Sequence, residues 1–271
     1  MRPQANVKGL LVMQGMKPGH VPLVRAISKL GIASRSRARA CVLAGKVQVN
    51  GMIQKDPEFP VVPETAKIQI DEQTVSKAAH RSFLLHKPRG VVTTNSDEKN
   101  RPTVFSLIHE GAIHLVAVGR LDLASSGLLL LTNDTRMAAW LTDPCNGVRR
   151  TYLVTVRGRV SEEELNVLRA GVHDEGESLQ VNAVELRKGS EKESHLTVQL
   201  CEGKNREIRR LFMCIKHEVT RLKRVAFGGL ELGDLQPGQY RELSEDDLTL
   251  IVKNRNGLDI PTVGKNVFTT H

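Results

Sequence analysis

The feature that most constrains this chain is the run GLLLLT at residues 127–132, opened by a glycine and followed by Asn133 and Asp134. It is too short to span a membrane, and it is apolar at every pleat position from Leu128 to Leu131. Such a segment reads as a strand buried on both faces, so the chain must build a sheet that is covered front and back. In the wider stretch GRLDLASSGLLLLTND (119–134), Asp122 stands at the mouth of that strand, where burial penalises a charge. It is the one carboxylate between His114 and Asp134. From local pattern alone, turn or cap chemistry is the commoner role for such a loop aspartate.

A chain of 271 residues is long enough for one sizeable core and a small module. It contains no run of eighteen apolar residues, and residues 1–20 lack the contiguous apolar stretch of a secretory signal. That segment is basic and acid-free, a composition also compatible with an organellar presequence. Cys41, Cys145, Cys201 and Cys214 are far apart and form no C-x-x-C pair. They read as reduced thiols of a cytoplasmic protein, not as a zinc or disulfide framework. The histidines show no ligand spacing, so they read as ordinary surface or core residues and no metal site is expected. No coiled-coil pattern is present, and a monomer is expected.

The net charge of +9 is unevenly placed. Residues 1–55 hold ten of the 39 Lys and Arg and no acid, whereas the other 29 face all 30 acids. A positive field confined to one module points to a polyanion, with nucleic acid the best fit. Within it, PLVRAISKLG (22–31) predicts a helix started by Pro22 and closed by Gly31. SRSRARACVLAG (34–45) predicts a second, with Ser34 as N-cap and Gly45 past its end. KVQVNGMIQ (46–54) is a hairpin turned on Asn50-Gly51. The candidate RNA contacts are Arg25 and Lys29 on the first helix, Arg35, Arg37 and Arg39 on the second, and Lys46 beyond it. A solvated helix surface is the plain alternative, and the lack of balancing acids weighs against it. This order of elements resembles the S4 RNA-binding domain, carried by residues 23–30, 31–45 and 46–51. Only nine aromatic residues occur in the chain, so phosphate and shape recognition of folded RNA suits it better than base stacking.

The polar stretch DEQTVSKAAHR (71–81) is the expected linker. Beyond it, strands are predicted at 82–86, 91–94, 115–118, 127–132, 151–156, 179–186 and 195–201. Helices are predicted at 135–142, 161–170, 204–216 and 244–252, with Ser161 and Glu164 forming a capping box. Few regular β-α alternations occur, so the fold class expected is α+β on a largely antiparallel, mixed sheet. The organisation that follows is a basic extension (1–20), an S4-like domain (21–70), a linker (71–81), a catalytic domain (82–252) and a polar tail (253–271).

Nucleotide-binding glycine loops, nucleophile elbows and metal clusters are all missing, which disfavours redox, nucleotide-hydrolysing and zinc chemistry. Two further segments carry chemistry. In CEGKNREIRRLFMCIKHE (201–218), Ile208, Leu211, Phe212 and Ile215 make one apolar stripe. At ~100° per residue, Arg209 falls on the flank of that stripe, where it can reach an adjacent cleft. Lys204, Arg206 and Arg210 suit solvent or phosphate. In RRTYLVTV (149–156), Tyr152, Val154 and Val156 share one strand face, and a plain core aromatic is the simplest reading of Tyr152.

Taken together, GRLDLASSGLLLLTND resembles the catalytic motif of ribosomal RNA pseudouridine synthases of the RsuA/RluB type. HKPRGVVTT (86–94), RTYLVTV (150–156), EGKNREIRRL (202–211) and RLKRVAFGGLELGDLQPGQYREL (221–243) resemble other segments of that family, in family order, behind an S4-like module. The resemblance spans about residues 20–252. It implies isomerisation of a specific uridine in ribosomal RNA, without cofactor or metal. Asp122 matches the family's nucleophilic aspartate, Tyr152 the tyrosine stacked on the target base, and Arg209 the arginine paired with that aspartate. Leu222 matches an apolar wall residue, and Arg120 is expected at the substrate. A lone carboxylate in a dry pocket suits this reaction, since hydrolytic glycosidases use two and admit water. The target base must be flipped out of its stack to react.

Three positions depart from the family pattern: Ser125 stands for a usual Thr, Thr135 for a usual Gly, and Arg150 for a frequent Lys. The alternatives are a non-catalytic RNA-binding ribosome-assembly factor and a DNA-binding regulator. Which uridine and which ribosomal subunit are involved is not legible.

Overall fold

A computed structural model describes residues 19–71, 73–74, 79–109 and 114–253 of the chain. Residues 1–18 of the expected extension, part of the expected linker and residues 254–271 of the expected tail lie outside the described residues. The chain divides into two compact units. The first holds the described residues up to His80, with His114, Leu115 and Asn133–Thr135, and the second holds the rest.

In the first unit, helix α1 (Leu23–Lys29) begins directly after Pro22, and Gly31 leaves it at φ +74°. Helix α2 (Arg35–Leu43) is capped as its sequence predicts: Ser34 Oγ accepts from the Arg37 N–H at 3.1 Å. Strands β1 (Val47–Val49) and β2 (Met52–Gln54) turn on Asn50 and Gly51, both with positive φ as a tight hairpin of this kind requires. Strands β3 (Ile68–Ile70) and β4 (Gln73–Thr74) complete a four-stranded sheet of order β2-β1-β3-β4. Leu23, Ala26, Ile27, Ala38, Val42, Val47 and Ile68 are fully enclosed and form its core.

The second unit is built on a nine-stranded sheet. Its strands are β5 (Ser82–Lys87), β6 (Val116–Ala117), β7 (Ser126–Thr132), β8 (Arg150–Arg157), β11 (Ala183–Gly189), β12 (Glu193–Leu200), β13 (Val219–Phe227), β14 (Leu230–Glu231) and β15 (Tyr240–Glu242). The order is β11-β12-β8-β13-β7-β5-β15, with β14 on β13 and β6 on β7. Only the β13–β7 pairing is parallel, so the fold is α+β with an antiparallel-rich sheet, as expected. Helices α3 (Thr135–Thr142), α4 (Glu162–Ala170), α5 (Glu207–Cys214) and α6 (Glu245–Lys253) and a two-strand hairpin, β9 (Val172–Asp174) with β10 (Glu177–Leu179), accompany the sheet. The capping box at Ser161 and Glu164 is present in both directions.

GLLLLT forms the buried strand its composition demands: Leu128, Leu129, Leu130 and Leu131 are 1% exposed or less. Leu128 and Leu130 join Leu84, Met137, Leu141 and Phe227 in one core cluster.

Four expectations need correction. The segment 91–94 makes only a single bridge, Val92 to Thr103, and the Thr93 side chain ties it to the backbone of Leu121. The strand predicted at 179–186 is split between β10 and β11, which belong to different sheets. The helix predicted at 204–216 runs only over Glu207–Cys214, since Arg206 adopts a left-handed conformation at φ +49°. Finally, the nine-residue β13 is central yet was not expected as a strand. Arg221, Lys223 and Arg224 give it a polar look, although Arg224 is 2% exposed.

The parallel pairing pins the architecture at Gly127. Its φ is +107°, and a Cβ built there would lie 2.1 Å from the Arg224 carbonyl oxygen and 2.6 Å from its amide nitrogen. Any side chain would force β7 and β13 apart. Gly127→Ala is therefore expected to destabilise the fold by about 3 kcal/mol or more. Urea denaturation checks this, and an unchanged midpoint would mean the two strands separate at little cost.

Candidate active site

The segment between β6 and β7 carries Asp122. Ser125 N–H donates to the Asp122 carbonyl at 3.0 Å, which folds the segment into a tight turn just before β7 begins. Beneath it lies Lys87, the last residue of β5, a lysine with no exposed surface. Its ammonium donates to the carbonyls of Pro88 (3.0 Å), Asp122 (3.1 Å) and Ser125 (2.9 Å). Three hydrogens meet three acceptors, so the charge is solvated by backbone and the turn is held in one shape. Burial pulls the Lys87 pKa down to about 8, opposed by the Asp122 charge. Sequence reasoning passed over Lys87, because a lysine after a strand reads as a solvated end. The one available signal was its position inside the HKPRG segment.

The sheet then brings distant residues to that turn. The pairing of β8 with β13 shifts register between Thr151 and Tyr152, where Val225 of β13 is the extra residue. Tyr152 is 8% exposed and lines a cavity of about 270 Å³. Asp122, Arg120, Ser125, Leu222 on β13 and Arg209 on α5 line the same cavity. The three residues singled out first, Asp122, Tyr152 and Arg209, thus converge on one site.

Arg209 donates to the Val219 carbonyl at 2.9 Å, and its Nε, buried without a hydrogen-bond partner, lies 4.0 Å from Asp122 Oδ2. Burial and neighbouring Arg206 pull its pKa down, and Asp122 holds it up. A second cavity of about 430 Å³ shares Arg120, Leu121 and Asp122 with the first, so Asp122 stands on the ridge between them.

Two details differ from expectation. The Asp122 side chain is 42% exposed, so the carboxylate is wet rather than enclosed; the turn presents it outward, and Lys87 beneath it binds backbone carbonyls, not the carboxylate. Nor is it the sole carboxyl at the cavity, because Glu207, 3% exposed, lines it too. In sequence Glu207 looked like one more charge on a surface helix. It turns inward because the helix starts only at Glu207.

The expected RNA contacts are sorted by their partners. Lys29, Arg35 and Arg37 are exposed, and Arg25 is half-buried. Arg39 is paired with Glu58 at 2.8 Å and Lys46 with Asp71 at 3.4 Å. The acids absent from residues 1–55 are thus supplied just downstream, which corrects the picture of an unbalanced surface at those two positions. Arg210 is bound by Asp174 (2.5 Å) and Glu177 (2.6 Å), and Lys204 by Glu202 (2.5 Å) and the Ser178 carbonyl (2.8 Å). Both pin α5 and its preceding loop to the β9–β10 hairpin and are not free for phosphate, contrary to expectation. Arg206 is exposed and faces the Asp122 cavity.

Of the departures from the family pattern, Arg150 is buried, donating to the Cys201 carbonyl at 2.7 Å and the Leu141 carbonyl at 3.2 Å. Ser125 is 1% exposed with an unpartnered hydroxyl.

A family model described as RNA pseudouridylate synthase matches residues 81–213, and one described as S4 domain matches residues 21–66. The ribosomal large subunit pseudouridine synthase B of Bacillus subtilis (strain 168) is 35% identical over 228 residues, covering 83% of this chain and 93% of that protein. The chain belongs to the RNA pseudouridine synthase family. Members of this family are isomerases. An uncharacterized RNA pseudouridine synthase of Aquifex aeolicus (strain VF5) is 31% identical over 86% of this chain and 94% of its own length. A solved pseudouridylate synthase superposes with a TM-score of 0.62 at 26% identity, covering 86% of this chain and all of that one.

Among the described residues no group of His, Cys, Asp and Glu is arranged to hold a metal ion, and no helix is long and apolar enough to cross a membrane.

The turn that carries Asp122 rests on the Lys87 ammonium. Lys87→Met strands three carbonyls without their donor and is expected to cost about 3 kcal/mol of stability. Calorimetric unfolding checks it, and a melting temperature equal to that of the wild type would show that the turn holds itself.

Proposed function

We propose that this synthase isomerises one specific uridine in ribosomal RNA, with Asp122 as the nucleophile and the target base flipped into the cavity beside Tyr152. The observation that carries this reading is the convergence of Asp122, Tyr152 and Arg209 on one cavity, from a turn, a strand and a helix far apart in sequence. The exposed Asp122 carboxylate fits attack on a group arriving from solvent. Once a nucleotide fills the cavity, water is displaced, and the nearby Arg209 guanidinium offsets the cost of desolvating the carboxylate. Its unpartnered Nε is a donor waiting for an acceptor.

The glycosidic bond of the uridine breaks, the uracil turns, and C5 is joined to the ribose while its proton leaves and N1 gains one. No atom is lost, so a site that keeps the detached base is required. Tyr152 supplies a face for stacking, and Leu222 on the neighbouring strand adds apolar wall.

Ribosomal RNA is the substrate favoured by the named activity of the Bacillus subtilis relative and by the basic S4 domain. In this reading residues 21–70 supply affinity for folded RNA and residues 82–252 the chemistry, as a cytoplasmic monomer acting in ribosome biogenesis. Arg120 and Arg206, both exposed at the cavity, contact the substrate backbone, and Lys29, Arg35 and Arg37 contact phosphates elsewhere.

Asp122→Asn is expected to abolish pseudouridine formation on ribosomal RNA while leaving RNA binding within about twofold. Equal turnover in both proteins would remove Asp122 from the chemistry, and RNA binding without any modified uridine in the wild type would favour an assembly factor instead. Neutralising Arg35 and Arg37 together is expected to lower the salt slope of RNA binding by about two, whereas Arg39→Gln, already paired with Glu58, changes it little. An unaltered slope in the double variant would place those two arginines away from phosphate.

A further inference from the structure

The cavity holds a carboxyl group that the proposed reaction does not use. Glu207 opens α5 and is 3% exposed. Its Oε2 accepts the Lys204 N–H at 3.1 Å, and its own N–H donates to the Lys204 carbonyl at 3.3 Å, so the two residues close the loop on each other. Its Oε1 is fully buried, with no donor from any neighbour. What faces Glu207 is a second carboxylate, Glu202, which is bound to the Lys204 ammonium at 2.5 Å. From the sheet, the Arg150 guanidinium on β8 lies within electrostatic range, but its hydrogen bonds go to the Cys201 and Leu141 carbonyls. On the same helix, Arg210 is occupied by Asp174 and Glu177.

Two carboxylates cannot hydrogen-bond each other unless one carries a proton, and a buried, donorless carboxylate oxygen is costly. Both problems vanish if the proton sits on Glu207 Oε1 and is donated to Glu202. We infer that Glu207 is a positioning residue: protonated, it latches to Glu202 and closes the loop Gly203–Arg206 that walls the cavity beside Asp122. Ionisation sets two carboxylates against each other, with the one Lys204 ammonium already bound to Glu202, and the loop opens. The wall then shifts, together with the first turn of α5 that presents Arg209.

Burial, then the bond and charge of Glu202, raise the Glu207 pKa to about 7, against the pull of Lys204. The sign is definite. A carboxyl whose folded pKa is raised adds stability below its ordinary value near 4.5 and has lost it once the pH passes about 7. The latch is therefore closed in mild acid and open in mild base.

This inference rests on the pseudouridine synthase reading of the site, and its test separates the two. Turnover on ribosomal RNA is measured against pH for the wild type, Glu207→Gln and Glu202→Gln, each normalised to its own maximum. The wild type is expected to lose about tenfold in kcat/KM per pH unit above about 7. Glu207→Gln donates its amide N–H to Glu202 at every pH, and Glu202→Gln donates to an ionised Glu207, so both are expected to lose that limb. The remaining fall near the Lys87 titration is common to all three.

In parallel, carbon-13 NMR of the glutamate carboxyls should show one titration centred near 7 in the wild type and none there in Glu207→Gln. Superimposable pH profiles, or a wild-type spectrum with no such titration, would overturn the latch. If the wild type makes no pseudouridine at any pH, the functional reading fails and the carboxyl titration alone decides the latch.

Discussion

The second unit depends on one backbone contact, the approach of β7 to β13 at Gly127. Strand β13 pairs with β8 on one side and β7 on the other, and its Arg224 is the shared partner: Tyr152 opposite it in one ladder, Gly127 in the next. Adjacent strands are about 4.8 Å apart, so Tyr152 lies roughly 10 Å across the sheet from the end of the Asp122 turn. That spacing leaves a gap one side chain deep between them, which Leu222 walls from β13 and Arg209 enters from α5. A side chain at residue 127 would break the ladder that sets the gap.

The core of this unit solvates cations with carbonyls rather than carboxylates. Lys87 is held by three carbonyl oxygens, Arg150 by two, and Arg224 by the Leu128 carbonyl at 2.7 Å. Arg150 and Arg224 also sit over the Phe227 ring, at 5.4 and 5.2 Å. Carbonyl dipoles stabilise a buried charge without cancelling it. The sheet beneath the cavity therefore keeps a positive field, which favours an anionic RNA strand. The carboxyls that are present at the cavity play different parts: Asp122 is exposed and near an arginine, Glu207 enclosed and facing another acid.

Local chemistry was legible wherever short-range rules decide the outcome. The caps at Ser34 and Ser161, the Asn50-Gly51 hairpin and the buried strand of leucines follow from neighbours within a few residues. The convergence of Asp122, Tyr152 and Arg209 was expected through resemblance and through the angular position of Arg209 on its helix. What failed were segments whose environment is set from afar. Strand β13 looked polar because nothing local shows that Arg224 is buried against Phe227. Lys204 and Arg210 looked free because their acids, Glu202 apart, arrive from the β9–β10 hairpin.

The sequence by itself determined the α+β class, the S4-like beginning, and the identity of the aspartate, tyrosine and arginine that meet. The class follows from periodicity and capping, which are properties of contiguous residues, whereas the S4-like beginning and the three site residues were singled out by motifs that resemble a family. Tertiary structure alone decided that Asp122 stands exposed on a ridge between two cavities, that Lys87 grips its turn, and that the buried Glu207 faces Glu202. Each of these depends on the burial of a charge, which is set by what packs around it and not by its neighbours in the chain.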